Sequence, residues 1–121
     1  MSEKIIKRGE IYWIHLPLTN KNNKETNGQL GVVVSSDEQN SISHFVTVVP
    51  FILESDKLCP FEVSVEFNQK NGKILTSQIT TIEKKRLCEK MGKLSNEAMN
   101  LVEKSLCLIL VFPNPFPTKT C

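Results

Sequence analysis

Hydrophobic positions fall in short bursts separated by polar stretches marked with glycine or proline, and the period inside each burst predicts an element. The segment "EIYWIHL" (10–16) mixes β-branched and aromatic residues and predicts a first strand. "PLTNKNNKETNGQLG" follows, rich in Asn, Thr, Lys and Gly; it cannot bury itself and predicts a long loop. "VVVSS" (32–36) and "FVTVVPFIL" (45–53) predict the second and third strands, the third ending or bending at Pro50, and "SDEQNSISH" breaks the pattern between them. "FEVSVEF" (61–67) alternates strictly, as a half-buried antiparallel strand does. Asn71-Gly72 in "NQKNG" predicts the tight turn of a hairpin, with "KILTSQITTI" (73–82) returning as a fifth strand.

"EKKRLCEKMG" predicts a short helix stopped by Gly92. Ser95 suits an N-cap, Glu97 suits the first turn, and Ala98, Val102, Leu106 and Ile109 form one stripe of an amphipathic helix. "FPNPFPTKTC" is punctuated by proline and cannot extend it. The sum is a mostly β, α+β fold: a small antiparallel barrel with a C-terminal helix, one domain over 1–112 and a Pro-rich tail over 113–121. Alternation places Trp13 on the core side of its strand with Ile11 and His15, and Tyr12 opposite.

Composition alters this picture little: 40% hydrophobic and 23% charged residues in a 121-residue chain are ordinary globular values. The longest apolar run, Leu106–Phe112, is far short of the roughly 20 residues that span a bilayer. The N-terminus has no extended apolar region, so the expectation is a cytoplasmic protein with no membrane association. A net charge of +2 does not demand a polyanionic partner and leaves nucleic acid open. Cys59, Cys88, Cys107 and Cys121 form no closely spaced pair, which argues against a zinc site; reduced, mostly structural thiols are expected, with Cys121 exposed. No metal or other cofactor is expected. His15 and His44 stand in no Ser–His–Asp or Cys–His spacing, and packing near a core is the commoner role for such residues.

The loop carries the first candidate chemistry. Lys24 can meet phosphate, Glu25 can act as a base, and Lys21, Asn27 and Gln29 can contact phosphate or base edges. The same loop also reads as a solvated turn whose charges serve solubility. The run Lys84, Lys85, Arg86, Lys90 and Lys93 is the densest basic cluster, and it too reads either as a binding surface or as a solvated face.

"KRGEIYWIHLP" resembles the opening of the PemK/Kid/MazF family, toxins of bacterial toxin–antitoxin pairs. "GVVVSSDEQN" resembles its second strand and the turn closed by an asparagine, here Asn40. "VTVVP" resembles its third strand, and "SQITTIEKKRLCEKMGKLSNEAMNLVEKSL" its last strand, Gly-Lys-Leu link and C-terminal helix. The resemblance implies a CcdB/Kid/MazF-type SH3-like barrel, a symmetric homodimer with an RNA groove, and metal-independent cleavage of single-stranded RNA checked by an antitoxin peptide. It also makes an acidic antitoxin segment a possible partner for the basic run.

Three family positions are altered. The family's Gly-x-Arg-Pro is Gly28-Gln29-Leu30-Gly31, so Leu30 stands at the arginine. Its Pro-x-Thr is Pro50-Phe51-Ile52, so Ile52 stands at the catalytic hydroxyl. Its Asp-Gln is Ser77-Gln78, which keeps the glutamine as an RNA-binding candidate. Glu25 is the possible substitute base. The resemblance thus leaves two expectations: an endoribonuclease with substitute groups, or an inactive member that binds RNA, DNA or an antitoxin.

Overall fold

The computed structural model describes residues 4–15, 28–53 and 60–111. In chain order these form β1 (Glu10–His15), β2 (Gly28–Val33), α1 (Asp37–Ile42), β3 (Phe45–Leu53), β4 (Val63–Phe67), β5 (Lys70–Ile74), β6 (Thr80–Glu83), β7 (Leu87–Lys93) and α2 (Asn96–Leu110). Single 3-10 turns lie at Thr76–Gln78 and Lys84–Arg86. The strands make one antiparallel sheet in the order β4-β5-β3-β2-β1-β7, and β6 also pairs with β3. It is a curled half-barrel closed by a C-terminal helix.

β3 organises the sheet. Its last residues, Phe51–Leu53, pair with β5, and its first, Phe45–Val48, pair with β6. The switch falls at Pro50, whose carbonyl accepts from the Leu75 N–H on that edge. Proline has no N–H to offer on the same edge, so the ladder breaks and the chain steps along β3 through the 3-10 turn. The predicted fifth strand over 73–82 is therefore two strands. Shifts in the β1–β7 register around Tyr12 bend the other side of the sheet.

Both faces of the curl are covered. On one, Ile11, Val32, Val49, Phe51 and Ile74 pack under Met99 and Val102 of α2. On the other, Tyr12, Ile14, Val33, Val46, Val48, Ile82 and Leu87 form a second core. Alternation within β1 therefore does not decide exposure. Tyr12 is buried in the second core, whereas Trp13 is 40% exposed, contrary to the expectation of a core tryptophan. Trp13 shares a face with Ile11 but lies beyond the cluster that α2 covers, with its ring over Gly28. His15 is exposed as well.

Two further expectations are corrected. The run "EKKRLCEKMG" is a 3-10 turn followed by β7, because pairing with β1 overrides the helical propensity of its Glu, Lys and Met residues. Gly92 there serves a close approach: an added Cβ would lie 2.7 Å from the Phe67 ring. The hairpin turns at Asn68-Gln69, both left-handed (φ 53 and 66), and not at Asn71-Gly72.

Ser95 caps α2 as predicted, its hydroxyl accepting from Ala98 N–H. The buried stripe of α2 is centred on Met99, Val102 and Ser105. Cys88 is free and exposed, but Cys107 on α2 is disulfide-bonded, which corrects the expectation of reduced thiols. Cysteine spacing along the chain gave no sign of it. Cys59 and Cys121 lie outside the described residues. Among the described residues no helix is long and apolar enough to cross a membrane.

Candidate nucleic-acid interface

The positions singled out by the resemblance meet in the middle of the sheet, but not on one side of it. Leu30 is paired with Trp13 on one side and Phe51 on the other. Paired residues in an antiparallel sheet share a face. Leu30 accordingly points into the core under α2 and is 9% exposed. Ile52, one residue beyond Phe51, projects from the opposite face, half-buried and in register with Lys73. The β2 residue on the Ile52 face is Gln29, which pairs with Ile14 of the second core. Its Nε2 donates to the carbonyls of Leu30 (3.2 Å) and Phe51 (3.0 Å), so both amide hydrogens are committed to backbone.

Lys73 is the cation nearest in register to Ile52, and it is ion-paired with Glu62 at 3.1 Å. Ser77 and Gln78 are exposed on the 3-10 turn that follows β5. That turn is anchored by Thr76, whose buried hydroxyl lies 2.6 Å from Ser105 Oγ on α2. Both hydroxyls donate to the carbonyl of Phe61, which holds a positive φ of 73. The clamp fixes the start of β4 to α2 and presents Gln78 on a rigid mount. Sequence patterning did not single out Thr76 or Ser105. A serine in mid-helix reads as a surface residue until the partner that buries it is known. Lys21, Lys24, Glu25 and Asn27 lie outside the described residues.

Both arginines of the chain are engaged elsewhere. Arg8 pairs with Glu103 at 2.7 Å and donates to the Val34 carbonyl, which ties the N-terminal segment to α2. Arg86 pairs with Glu83 at 3.6 Å. In the basic run, Lys90 reaches the buried Glu10 at 2.8 Å and Lys85 lies 3.9 Å from Glu83, so part of the cluster is internally neutralised.

Glu10 is the centre of a structural network. Its Oε1 accepts from Lys7 N–H (2.8 Å) and from the Tyr12 hydroxyl (3.0 Å). Burial alone would raise its pKa, but the bonds from Lys90, Lys7 and Tyr12 outweigh it and hold the carboxyl below its usual value. Burial, reinforced by the Glu10 carboxylate, pushes the Tyr12 phenol well up. Asn40, which the resemblance placed at a turn, is buried in α1. It donates to the Ser35 carbonyl and accepts from Ser35 Oγ at 2.6 Å. The described residues contain no cluster of His, Cys, Asp and Glu fit for a metal ion.

A family model described as PemK-like, MazF-like toxin of type II toxin–antitoxin system matches residues 7–110. Among solved structures, the chain is similar to an endoribonuclease in complex with its cognate antitoxin from a mycobacterial species. That match has 19% identity, 93% of this chain and 100% of that chain covered, and a TM-score of 0.71. It is similar to a MazE–MazF complex (Form II) from Deinococcus radiodurans, with 17% identity, 92% and 100% covered, and a TM-score of 0.72. It is also similar to MazF (Form I) from the same organism, with 16% identity, 91% and 100% covered, and a TM-score of 0.73. At these identities the structural likeness concerns the fold.

Proposed function

Because the chain belongs to the PemK-like, MazF-like toxins of type II toxin–antitoxin systems, we propose that it is an RNA-directed toxin, working in the cytoplasm as a homodimer and restrained by an antitoxin peptide. The observation that carries this reading is the family match over 7–110, which takes in every described strand and α2. Relatives of the same fold are an endoribonuclease with its antitoxin and a MazE–MazF complex.

The chemistry of the reading is a metal-independent transesterification. The RNA's 2′-oxygen attacks the adjacent phosphorus, its proton passes to a base, the bond to the 5′-oxygen breaks, and that oxygen takes a proton from an acid. The products are a cyclic phosphate end and a free 5′-hydroxyl. A cation steadies the crowded phosphate between these events. In this chain Glu25 serves as base and Lys21 or Lys24 as cation, while Asn27 and Gln78 contact the RNA and Gln29, its amide hydrogens held by backbone, contacts it only through Oε1. The test is incubation of folded protein with single-stranded RNA in a chelator. Cyclic-phosphate products that vanish in Glu25→Gln support the reading; intact RNA after prolonged incubation opposes it.

A second reading is favoured by the face on which Ile52 projects. There Gln29 is bonded to backbone, Lys73 is paired with Glu62, and neither arginine is available. Losing one charge-stabilising donor costs about two to three orders of magnitude in rate. On this reading the protein binds RNA, DNA or antitoxin without cutting. It predicts a salt-sensitive RNA complex with no products, and cleavage appearing in a Gln29→Arg, Ile52→Thr double variant.

A further inference from the structure

Of the two aromatic rings in β1, Tyr12 is buried and Trp13 is 40% exposed. The exposed indole is nevertheless held in place. Trp13 pairs with Leu30 and His15 with Gly28, so all four stand on one face of the sheet. On that face the edge of the indole rests on Gly28: an added Cβ there would lie 2.4 Å from Nε1 and Cε2 and 2.5 Å from Cζ2. Gly28 has no positive φ, so its backbone does not call for glycine; the ring does. A side chain seated in this way has given up much of its rotamer freedom before any ligand arrives.

Its position gives the exposed ring a use. β1 ends at His15 and β2 begins at Gly28, which puts Trp13 at the root of the segment 16–27. That segment supplies Lys21, Lys24, Glu25 and Asn27, the cation, general base and RNA contact of the proposed reaction. Trp13 also adjoins Ile14, whose partner across the ladder is Gln29. His15, exposed and on the Trp13 face, follows about 6.6 Å along a strand that rises about 3.3 Å per residue. Exposed rings on a strand face are what sheet platforms use to stack unpaired bases. Charge points the same way. With 15 Lys and Arg against 13 Asp and Glu, the chain's net field holds a polyanion weakly, whereas stacking supplies attraction that salt does not screen.

We propose that Trp13 is a base-stacking platform: one unpaired base of a single-stranded RNA lies against the open side of the indole, and His15 receives its neighbour. Every base has a π-face, so this contact adds affinity without selecting a sequence and leaves selection to the groups that read base edges. Gly28 is a positioning residue, because any side chain there pushes the ring off its seat. The inference rests on the RNA-directed reading but not on cleavage, since a chain that binds without cutting would use the same ring.

Trp13 is the chain's only tryptophan, so indole emission reports on this contact alone. In the test, a seven-nucleotide single-stranded RNA is titrated into the full chain while indole emission and filter retention are read in parallel. An inorganic polyphosphate of matching charge is the control. Expected are saturable quenching with the same midpoint as retention, and no quenching by polyphosphate. Trp13→Ala should weaken retention about tenfold or more, and Trp13→Phe about threefold or less. Gly28→Ala, which keeps the indole but unseats it, should weaken retention severalfold and alter the emission of the free protein. Thermal melts check the fold of each variant, and quenching in the unaltered chain decides the matter if Trp13→Ala does not fold. RNA retained with unchanged indole emission overturns the inference and leaves the RNA-directed reading standing. So does equal retention by Trp13→Ala, or equal quenching by polyphosphate. No retention of RNA at all counts against that reading itself, and the inference falls with it.

Discussion

At the scale of single residues, position within the sheet decides what each candidate can do. Leu30 occupies a family arginine position by resemblance, yet its side chain is part of the core under α2. Leu30→Arg would bury an unpaired charge there and is expected to cost more than about 3 kcal/mol. Gln29→Arg, on a half-exposed site one residue away, should cost less than about 1.5 kcal/mol. Urea denaturation of the two variants checks the ordering, and equal costs would contradict the assignment of faces. Glu10 makes a prediction in pH. Its carboxyl titrates below its ordinary value when folded, so the carboxylate stabilises the fold above about pH 4.5, and that contribution is lost as pH falls through the depressed pKa. Glu10→Gln should cost about 1–3 kcal/mol at pH 7. The gap from the unaltered protein should close as acidification protonates Glu10. Parallel stability profiles from pH 7 to 3 would show that the carboxylate is not the stabilising form.

At the scale of elements, long periodic segments were legible and their junctions were not. β1, β3, β4 and α2 follow from alternation, β-branched content and the Ser95 cap. The hairpin shows why junctions fail. Asn71-Gly72 is a strong local turn signal, but the register of β4 against β5 closes on Phe67 and Lys70 and leaves Asn68-Gln69 as the turn. Gly72 is instead a contact glycine: an added Cβ would lie 2.6 Å from the Phe51 ring and 2.8 Å from the Ile52 carbonyl oxygen. Local signals cannot reveal that, because the crowding comes from β3. Two opposite outcomes follow. Gln69→Gly removes a left-handed penalty and should stabilise by up to about 1 kcal/mol. Gly72→Ala should destabilise by about 1–3 kcal/mol through overpacking. A turn centred on Asn71-Gly72 would place Gln69 in a strand, where Gln69→Gly destabilises in thermal melts, so the sign of that change distinguishes the two turns. The site was legible in the same partial way. The changes at Ile52 and Ser77 could be read directly, but the commitment of Gln29 to backbone carbonyls needed the sheet.

At the scale of the whole molecule, electrostatics bear on how RNA could be held. The chain's 15 Lys and Arg residues nearly balance its 13 Asp and Glu, and several of the described ones are set against each other. Arg8 pairs with Glu103, Lys73 with Glu62, Lys85 and Arg86 with Glu83, and Lys90 with Glu10. Such a chain projects little net field, so RNA held on it must rely mainly on a few local phosphate contacts and on contacts that salt does not screen. If Lys21 and Lys24 meet phosphate and one or two further lysines assist, about two to four counterions are released on binding. The logarithm of the single-strand affinity should then fall with the logarithm of salt at a slope between roughly −1.4 and −2.8. Filter binding across a salt series measures it. Lys21→Ala, Lys24→Ala should flatten the slope by about 1.4, whereas Lys84→Ala, on the 3-10 turn before β7, should leave it unchanged. A slope of about −5 or steeper corresponds to about seven phosphate contacts, more than these few lysines supply, and would extend the RNA path to other cations such as the basic run before β7.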